Sequence, residues 1–234
     1  MRSFQISVPD DVIADLHARL SRARLLPDSP RRPESGLSGE YLRDLVDNWA
    51  AFDWRSRERE LNEHPQFIAD IDGTDIHFVH LRSDRPDAPA LLVMHGWPHT
   101  FALQLEFARL LPDFHVIVPS LPGFAFSAPF DGTMTEGVMA RLMHALMTEV
   151  LGYEHYLTYG EDISANVSDL IAATHPGAVQ GTSRRTRTSA PVKSVTPSMM
   201  PMPAPSSSVS PLGADQMAPT RTFRRLDRTP SLQV

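Results

Sequence analysis

The stretch with the clearest chemical potential runs from Tyr156 to Ala165 and contains an acid between small residues. An apolar run ends at Gly160, and Asp162 follows two residues later. This pattern predicts a strand that turns sharply into a helix and lifts the Asp162 carboxylate above the sheet. A carboxylate there can displace at an alkyl carbon and leave an ester that water later cleaves. The alternative, which this stretch taken alone favours, is a turn whose aspartate only caps the next helix.

Upstream, strands alternate with helices. Residues 90–94 and 114–118 are short apolar runs, as in strands buried on both faces of a parallel sheet. Helical patterns fill 101–111, 135–151 and 164–173. The strand that leads into the sharp turn at 160–164, which we call the elbow, covers 155–159. This alternation predicts right-handed crossovers, and so the loops 95–98, 119–127 and 160–164 should gather at the carboxyl ends of the strands.

The first 85 residues predict a helical segment and a hairpin. Apolar spacing indicates helices over 8–20, 39–52 and 53–62, and we interpret Trp49 and Trp54 as core residues. Residues 67–71 and 76–81 flank an Asp72-Gly73 turn, which is a strong hairpin signal. His77 and His80 are three apart on a strand, point to opposite faces and cannot share a metal ion.

Three motifs in order carry a family resemblance: the tetrapeptide His95-Gly96-Trp97-Pro98, the loop PGFAFS at 122–127, and Asp162 at the elbow. Together they resemble the epoxide hydrolases of the α/β-hydrolase superfamily. The N-terminal pattern, including Phe52-Asp53-Trp54-Arg55, is similar to the microsomal-type branch, and the resemblance covers residues 4 to about 181. It implies an α/β class and a partial α/β-hydrolase fold with a mostly parallel sheet, flanking helices and an N-terminal helical extension.

The resemblance also implies roles for individual residues. Asp162 would attack an epoxide carbon, and the backbone N–H groups of Trp97 and Ile163 would hold the oxyanion formed when the ester is hydrolysed. Gly96, Pro98 and Gly160 would support this geometry. We interpret His95 as a hydrogen-bonded core histidine. No cofactor and no metal site is implied, and the partner would be a small hydrophobic epoxide.

Other residues depart from the family pattern. His99 and Ala125 stand where smaller residues are usual, and Ser164 replaces a second elbow glycine. The family reaction also needs two tyrosines of a lid segment, which protonate the epoxide oxygen, and a histidine base, which activates water. All of these come later in the chain than the nucleophile. After Asp162 the sequence has no Tyr, and its one His is His175. We therefore expect an incomplete catalytic set with impaired turnover.

Composition changes abruptly after residue 181. Residues 1–180 carry 14 Arg, no Lys and 26 acids, a net charge of −12, whereas 181–234 carry eight basic residues and two acids, a net charge of +6. Residues 182–234 contain one aromatic, Phe223, and are rich in Pro, Ser, Thr and Arg. We expect this tail to be disordered. A family chain truncated or frame-disrupted near residue 181 and a natural basic tail both remain open.

These observations divide the chain into an N-terminal segment (1–85), the first half of a hydrolase core (86–181) and the tail (182–234). There is no Cys and no long apolar run, and the first residues do not resemble a signal peptide, so we expect a soluble cytoplasmic protein without disulfides or membrane contact. The acidic body argues against nucleic acid as a partner. A sheet that stops after its elbow strand should self-associate through its edge.

Two other functions stay open. One is a catalytically inactive fragment that acts, if at all, in binding or interaction. The other is a haloalkane dehalogenase, which also uses an elbow aspartate and which the N-terminal extension ranks lower.

Overall fold

A computed structural model describes residues 1–28, 31 and 37–185 of the chain. These residues form one mixed sheet whose strand order is β1-β2-β3-β5-β4-β6-β7. Its strands are β1 (Arg2–Phe4), β2 (Gln66–Ile71), β3 (Thr74–Leu81), β4 (Ala90–Met94), β5 (His115–Pro119), β6 (Tyr156–Glu161) and β7 (Val179–Arg185). Neighbouring strands are parallel throughout the series β5, β4, β6 and β7. On the other side of β5, strands β3, β2 and β1 follow in antiparallel pairs. The predicted α/β class with a mostly parallel sheet is confirmed.

Helices flank both faces of this sheet. They are α1 (Asp10–Leu20), α2 (Gly39–Ala50), α3 (Trp54–Leu61), α4 (Phe101–Ala108), α5 (Glu136–Ala145) and α6 (Ile163–Thr174), and α5 continues into a π-helical turn at Leu146–Val150. The predicted helices all occur. None of the helices in the described ranges has the length and apolar character that a membrane crossing requires.

The hairpin between β2 and β3 forms as the sequence predicts. Ile71 pairs with Thr74, which leaves Asp72 and Gly73 as the two turn residues. Both have positive φ, 51° and 78°, the conformation that a tight two-residue hairpin turn requires.

Apolar side chains form one core on each face of the sheet. One core contains Leu92, Tyr156 and the inner residues of α5 and α6. The other contains Val93, Phe101 and Leu105 of α4, with Leu157 and Tyr159 packed against it. Strand β6 therefore alternates between the two cores, as the two-residue period of a strand dictates. Residues 90–94 are all buried, as a central strand of a parallel sheet requires.

The N-terminal segment is attached to the sheet through β1 and α3. The Val8 N–H donates to Glu58 of α3 at 2.7 Å, and Asn62 exchanges two hydrogen bonds of 2.8 Å with the Ile6 backbone. The interpretation of Trp49 as a core residue is wrong, because its side chain is 54% exposed on α2. Trp54 packs partly buried against the second core. An amphipathic helix face shows which residues are apolar but not whether a neighbour covers them.

At the other side of the sheet, β7 pairs with β6 as far as Arg185, which lies opposite Glu161. The first four residues of the expected disordered tail, 182–185, therefore belong to a strand. Parallel pairing with the whole length of β6 extends the sheet beyond the point where the composition changes. The rest of that predicted tail, 186–234, lies outside the described residues.

Burial of His77 and His80 in β3 gives a pH-dependent stability. Desolvation lowers the pKa of each imidazole to about 4. The unfolded chain therefore binds these protons more readily, and their contribution to stability is complete above about pH 6.5 and is lost as the pH falls toward 4. We expect the free energy of unfolding in urea to drop by on the order of 3 kcal/mol per histidine over that range.

Replacing one buried histidine separates this effect from carboxylate titration. His77→Gln should flatten the decline between about pH 6.5 and 5, whereas His17→Gln at an exposed position of α1 should leave it unchanged. An unfolding free energy that stays constant down to about pH 5 in the wild-type chain would contradict the expectation.

Candidate active site

Asp162 lies at a strained bend between β6 and α6. Its φ of 54° and ψ of −124° fall in a region that side-chain-bearing residues rarely adopt, and its side chain is exposed. Gly160 has no room for a side chain, since a Cβ there would meet the Ser164 carbonyl oxygen at 2.0 Å. Ser164 and Ala165 are fully buried beneath the bend. The predicted sharp turn from strand to helix is present, with small residues where the packing is closest.

The loop after β4 brings a backbone donor to this carboxylate. The Trp97 N–H donates to Asp162 Oδ2 at 3.1 Å. Gly96 permits the approach, because a Cβ at that position would lie 2.5 Å from the Asp162 Cβ atom. Pro98 follows through a cis peptide bond, and the Trp97 indole is 72% exposed. At this site Trp97 supplies its backbone amide rather than its ring.

The second backbone amide expected at this site is that of Ile163, the residue directly after Asp162. Ile163 is the first residue of α6, so its N–H belongs to the first turn, where amides have no acceptor within the helix. The N-terminus of a helix also carries partial positive charge. The Trp97 amide thus contacts the Asp162 carboxylate from the loop after β4, while the Ile163 amide begins the helix that follows the same residue.

His95 supports the loop from within the protein. Its ring is fully buried, its Nε2 atom accepts from the Leu121 N–H at 3.1 Å, and its Nδ1 donates to the Gly96 carbonyl at 3.2 Å. Its own carbonyl accepts from the Ser164 hydroxyl. Desolvation lowers the pKa of the imidazole, and Nε2 accepts a hydrogen bond, which only the neutral ring can do. These are the surroundings of a structural histidine rather than of a catalytic base.

His175 lies at the opposite end of α6 from Asp162. The helix has 12 residues, which separates its ends by about 18 Å. There the His175 ring stacks on His144, with ring centres 3.6 Å apart. Among the described residues no group of three or more His, Asp or Glu could hold a metal ion.

The structure also joins three residues that the sequence did not connect. His99 Nδ1 lies 2.8 Å from Glu161 Oε1, and Gln104 Nε2 donates to the same oxygen at 2.8 Å. One signal in the sequence could have indicated the contact with Gln104. Side chains along β6 alternate between the two faces of the sheet, which places Glu161 on the same face as Leu157 and Tyr159, toward α4. The sequence had shown His99 only as a departure from a family pattern.

Two family models match this chain. Residues 89–182 match the alpha/beta hydrolase fold, the class to which the sheet order and the bend at Asp162 belong. Residues 1–104 match the epoxide hydrolase N terminus.

Curated relatives and solved structures agree with these matches. Epoxide hydrolase 1 of Sus scrofa is 33% identical over 200 residues, and juvenile hormone epoxide hydrolase 2 of Ctenocephalides felis is 31% identical over 203 residues. Both alignments cover 77% of this chain, and the chain spans 44% and 42% of those relatives. The structure of Aspergillus niger epoxide hydrolase is similar, with a TM-score of 0.68 at 31% identity, and 82% of this chain covers 55% of that one. The chain therefore belongs to the epoxide hydrolase family.

Close packing at Gly160 predicts a large penalty for a single methyl group. Gly160→Ala would force β6 and α6 apart, because the nearest atom is backbone that cannot move aside, and we expect a loss of about 3 kcal/mol or failure to fold. Gly177→Ala is the matched control, since nothing lies within 4 Å of its Cβ position. Urea denaturation measures both. Equal stabilities for the two variants would show that the bend is looser than described.

Proposed function

We propose that Asp162 is the nucleophile of an epoxide ring-opening reaction. A carboxylate oxygen forms a bond to one ring carbon, the bond from that carbon to the ring oxygen breaks, and the released oxygen takes up a proton from water. The observation that carries the proposal is the exposed Asp162 carboxylate at the strained bend, with the Trp97 N–H 3.1 Å from Oδ2. The product of this step is an ester between Asp162 and the opened substrate.

The two backbone amides serve the second step. Attack of water on the ester carbon places negative charge on the former carboxylate oxygen. The N–H groups of Trp97 and Ile163 are fixed by the loop and by α6, so they stabilise that charge without having to reorganise. His95 and Pro98 hold the loop, while Gly96 and Gly160 provide the space it needs.

Turnover needs a general base, and here the residues of this chain fall short. The one histidine that follows Asp162 in the sequence is His175, at the far end of α6. His95 is neutral and fully hydrogen-bonded. We therefore propose that this chain supports ester formation much better than ester hydrolysis. The substrate class we propose, a small hydrophobic epoxide, follows from the family.

Ester formation predicts a stable covalent adduct. Purified chain incubated with styrene oxide should gain the mass of one substrate molecule, and peptide mapping should place it on Asp162. Asp162→Asn should abolish the adduct because an amide is a far weaker nucleophile. Asp131→Asn, at an exposed acid in the loop before α5, should react like the wild-type chain.

Two outcomes would contradict this proposal. An adduct that persists in Asp162→Asn would mean that another group is the nucleophile. Rapid conversion of styrene oxide to its diol by the wild-type chain would mean that a base is present that we have not assigned.

A second candidate function is that of an interaction protein, and one observation favours it. The N-terminal helices expose a set of large apolar side chains around a cavity of about 620 Å³. Val12, Trp49 and Phe52 line this cavity and are between 50% and 54% exposed, and Tyr41 and Leu45 on α2 are exposed to the same extent without lining it. An apolar patch of this kind is commonly covered by a partner surface. Strand β7, at one end of the strand order, is a second surface through which copies could associate.

Sedimentation at increasing protein concentration tests both association surfaces. We expect oligomers in the wild-type chain. If the helical patch mediates them, Trp49→Ser should shift the distribution to monomer, because Trp49 offers a large exposed apolar area. Ser56→Ala, at a non-apolar position of α3, is the control. A monomer at every concentration would contradict association through either surface.

A further inference from the structure

The position of the Trp97 amide depends on a loop that its own side chain does not anchor. The N–H lies 3.1 Å from Asp162 Oδ2, yet the indole is 72% exposed. Ahead of Trp97, the buried His95 ring fixes the chain through its bonds to Leu121 and Gly96. A loop held on one side only would leave the amide free to turn. A second attachment is therefore needed after Pro98.

Glu161 provides that second attachment. Its side chain is 13% exposed, and Oε1 lies 2.8 Å from both His99 Nδ1 and Gln104 Nε2. One carboxylate thus links the end of β6, the loop after Pro98 and the first turn of α4. Hydrogen bonds to an ionised acceptor are among the stronger kinds in proteins. Loss of the carboxylate would also leave the nearly buried Gln104 amide without this acceptor.

The start of α4 offers a second electrostatic interaction for the Glu161 carboxylate. Its N-cap residue, Thr100, makes no side-chain capping bond, and the first turn of the helix contains no acidic residue. The carboxylate of Glu161 reaches this turn through Gln104, so it places negative charge near the positive end of the helix dipole. The positive end of the α4 dipole therefore favours the observed position of the Glu161 side chain.

The adjacent acids Glu161 and Asp162 consequently differ in their surroundings. Glu161 Oε1 is occupied by two donors and faces α4, whereas Asp162 is exposed at the bend. His99, a departure from the family pattern, is explained by this pairing with Glu161. The two residues are 62 positions apart in the sequence.

We propose that Glu161, through His99 and Gln104, is a positioning residue that keeps the Trp97 N–H directed at Asp162. The proposal rests on the function proposed for Asp162, but its geometric part stands on these contacts alone. Glu161 does not contact the substrate. Removing its carboxylate or the His99 imidazole releases the loop after Pro98, and the Trp97 amide then spends less time at Asp162.

Amide hydrogen exchange of Trp97, followed by NMR on the full chain, tests the geometric part without any reaction. Glu161→Ala and His99→Ala should each speed exchange at Trp97 by about tenfold. His99→Asn should restore slow exchange, because its amide nitrogen can stand near the Nδ1 position and donate to Glu161. Glu154→Ala, which removes an exposed acid ahead of β6, is the matched control and should exchange like the wild type.

The rate at which the Asp162 ester is hydrolysed tests the functional part, because the Trp97 amide acts in that step. After alkylation by styrene oxide, both alanine variants should lose the adduct at alkaline pH about tenfold more slowly than the wild-type chain, whereas their rates of alkylation should match it. His99 is half exposed, so His99→Ala should fold even if Glu161→Ala does not.

The outcomes separate the two proposals. If the wild-type chain is not alkylated, the function proposed for Asp162 fails, and the exchange data still decide whether Glu161 positions the loop. If exchange at Trp97 is the same in His99→Ala as in the wild type, the positioning role is wrong. An adduct on Glu161 would also overturn it, because that carboxylate would then be free to react.

Discussion

The structure around Asp162 depends on the absence of side chains at two glycines. A Cβ at Gly160 would lie 2.0 Å from a backbone oxygen of α6, and one at Gly96 would lie 2.5 Å from the Asp162 Cβ atom. Strands β4 and β6 are direct neighbours, and Met94 pairs with Gly160, so the loops that follow them start at the same level of the sheet. Only because both loops can touch does the Trp97 amide reach a carboxylate that is 65 residues away in the sequence.

Much of this arrangement could be predicted from the sequence because its signals are local. The apolar runs at 90–94 and 114–118 and the small residues around Asp162 each reflect burial or crowding within a few residues. In a parallel sheet such strands end at the same edge. The sequence therefore predicted that the three loops would lie close together at that edge.

The features that were not predicted depend on tertiary contacts. Strand β1 is three residues long and exists only because Arg2 to Phe4 pair with β2. The exposure of Trp49 could not be predicted, since an apolar helix face looks the same whether or not it is covered. The contact between His99 and Glu161 joins distant parts of the chain, and each residue alone looked like an ordinary surface group.

The described residues include the proposed nucleophile and its backbone donors but place no histidine base beside them. The strands and loops that carry Asp162 and its two amides are contiguous in space and lie before residue 164. The general base that hydrolysis requires has no counterpart next to them, since His175 stacks on His144 at the other end of α6. In the proposed mechanism, opening of the epoxide and cleavage of the ester are therefore separable, because only the second step requires the histidine base.

The most direct measurement is a crystal structure of the chain after reaction with styrene oxide. We expect continuous density from the Asp162 carboxyl group to a carbon of the opened substrate, with the ester carbonyl oxygen facing the amides of Trp97 and Ile163. An unmodified Asp162 beside an adduct at any other residue, or an ester whose carbonyl points away from both amides, would contradict it.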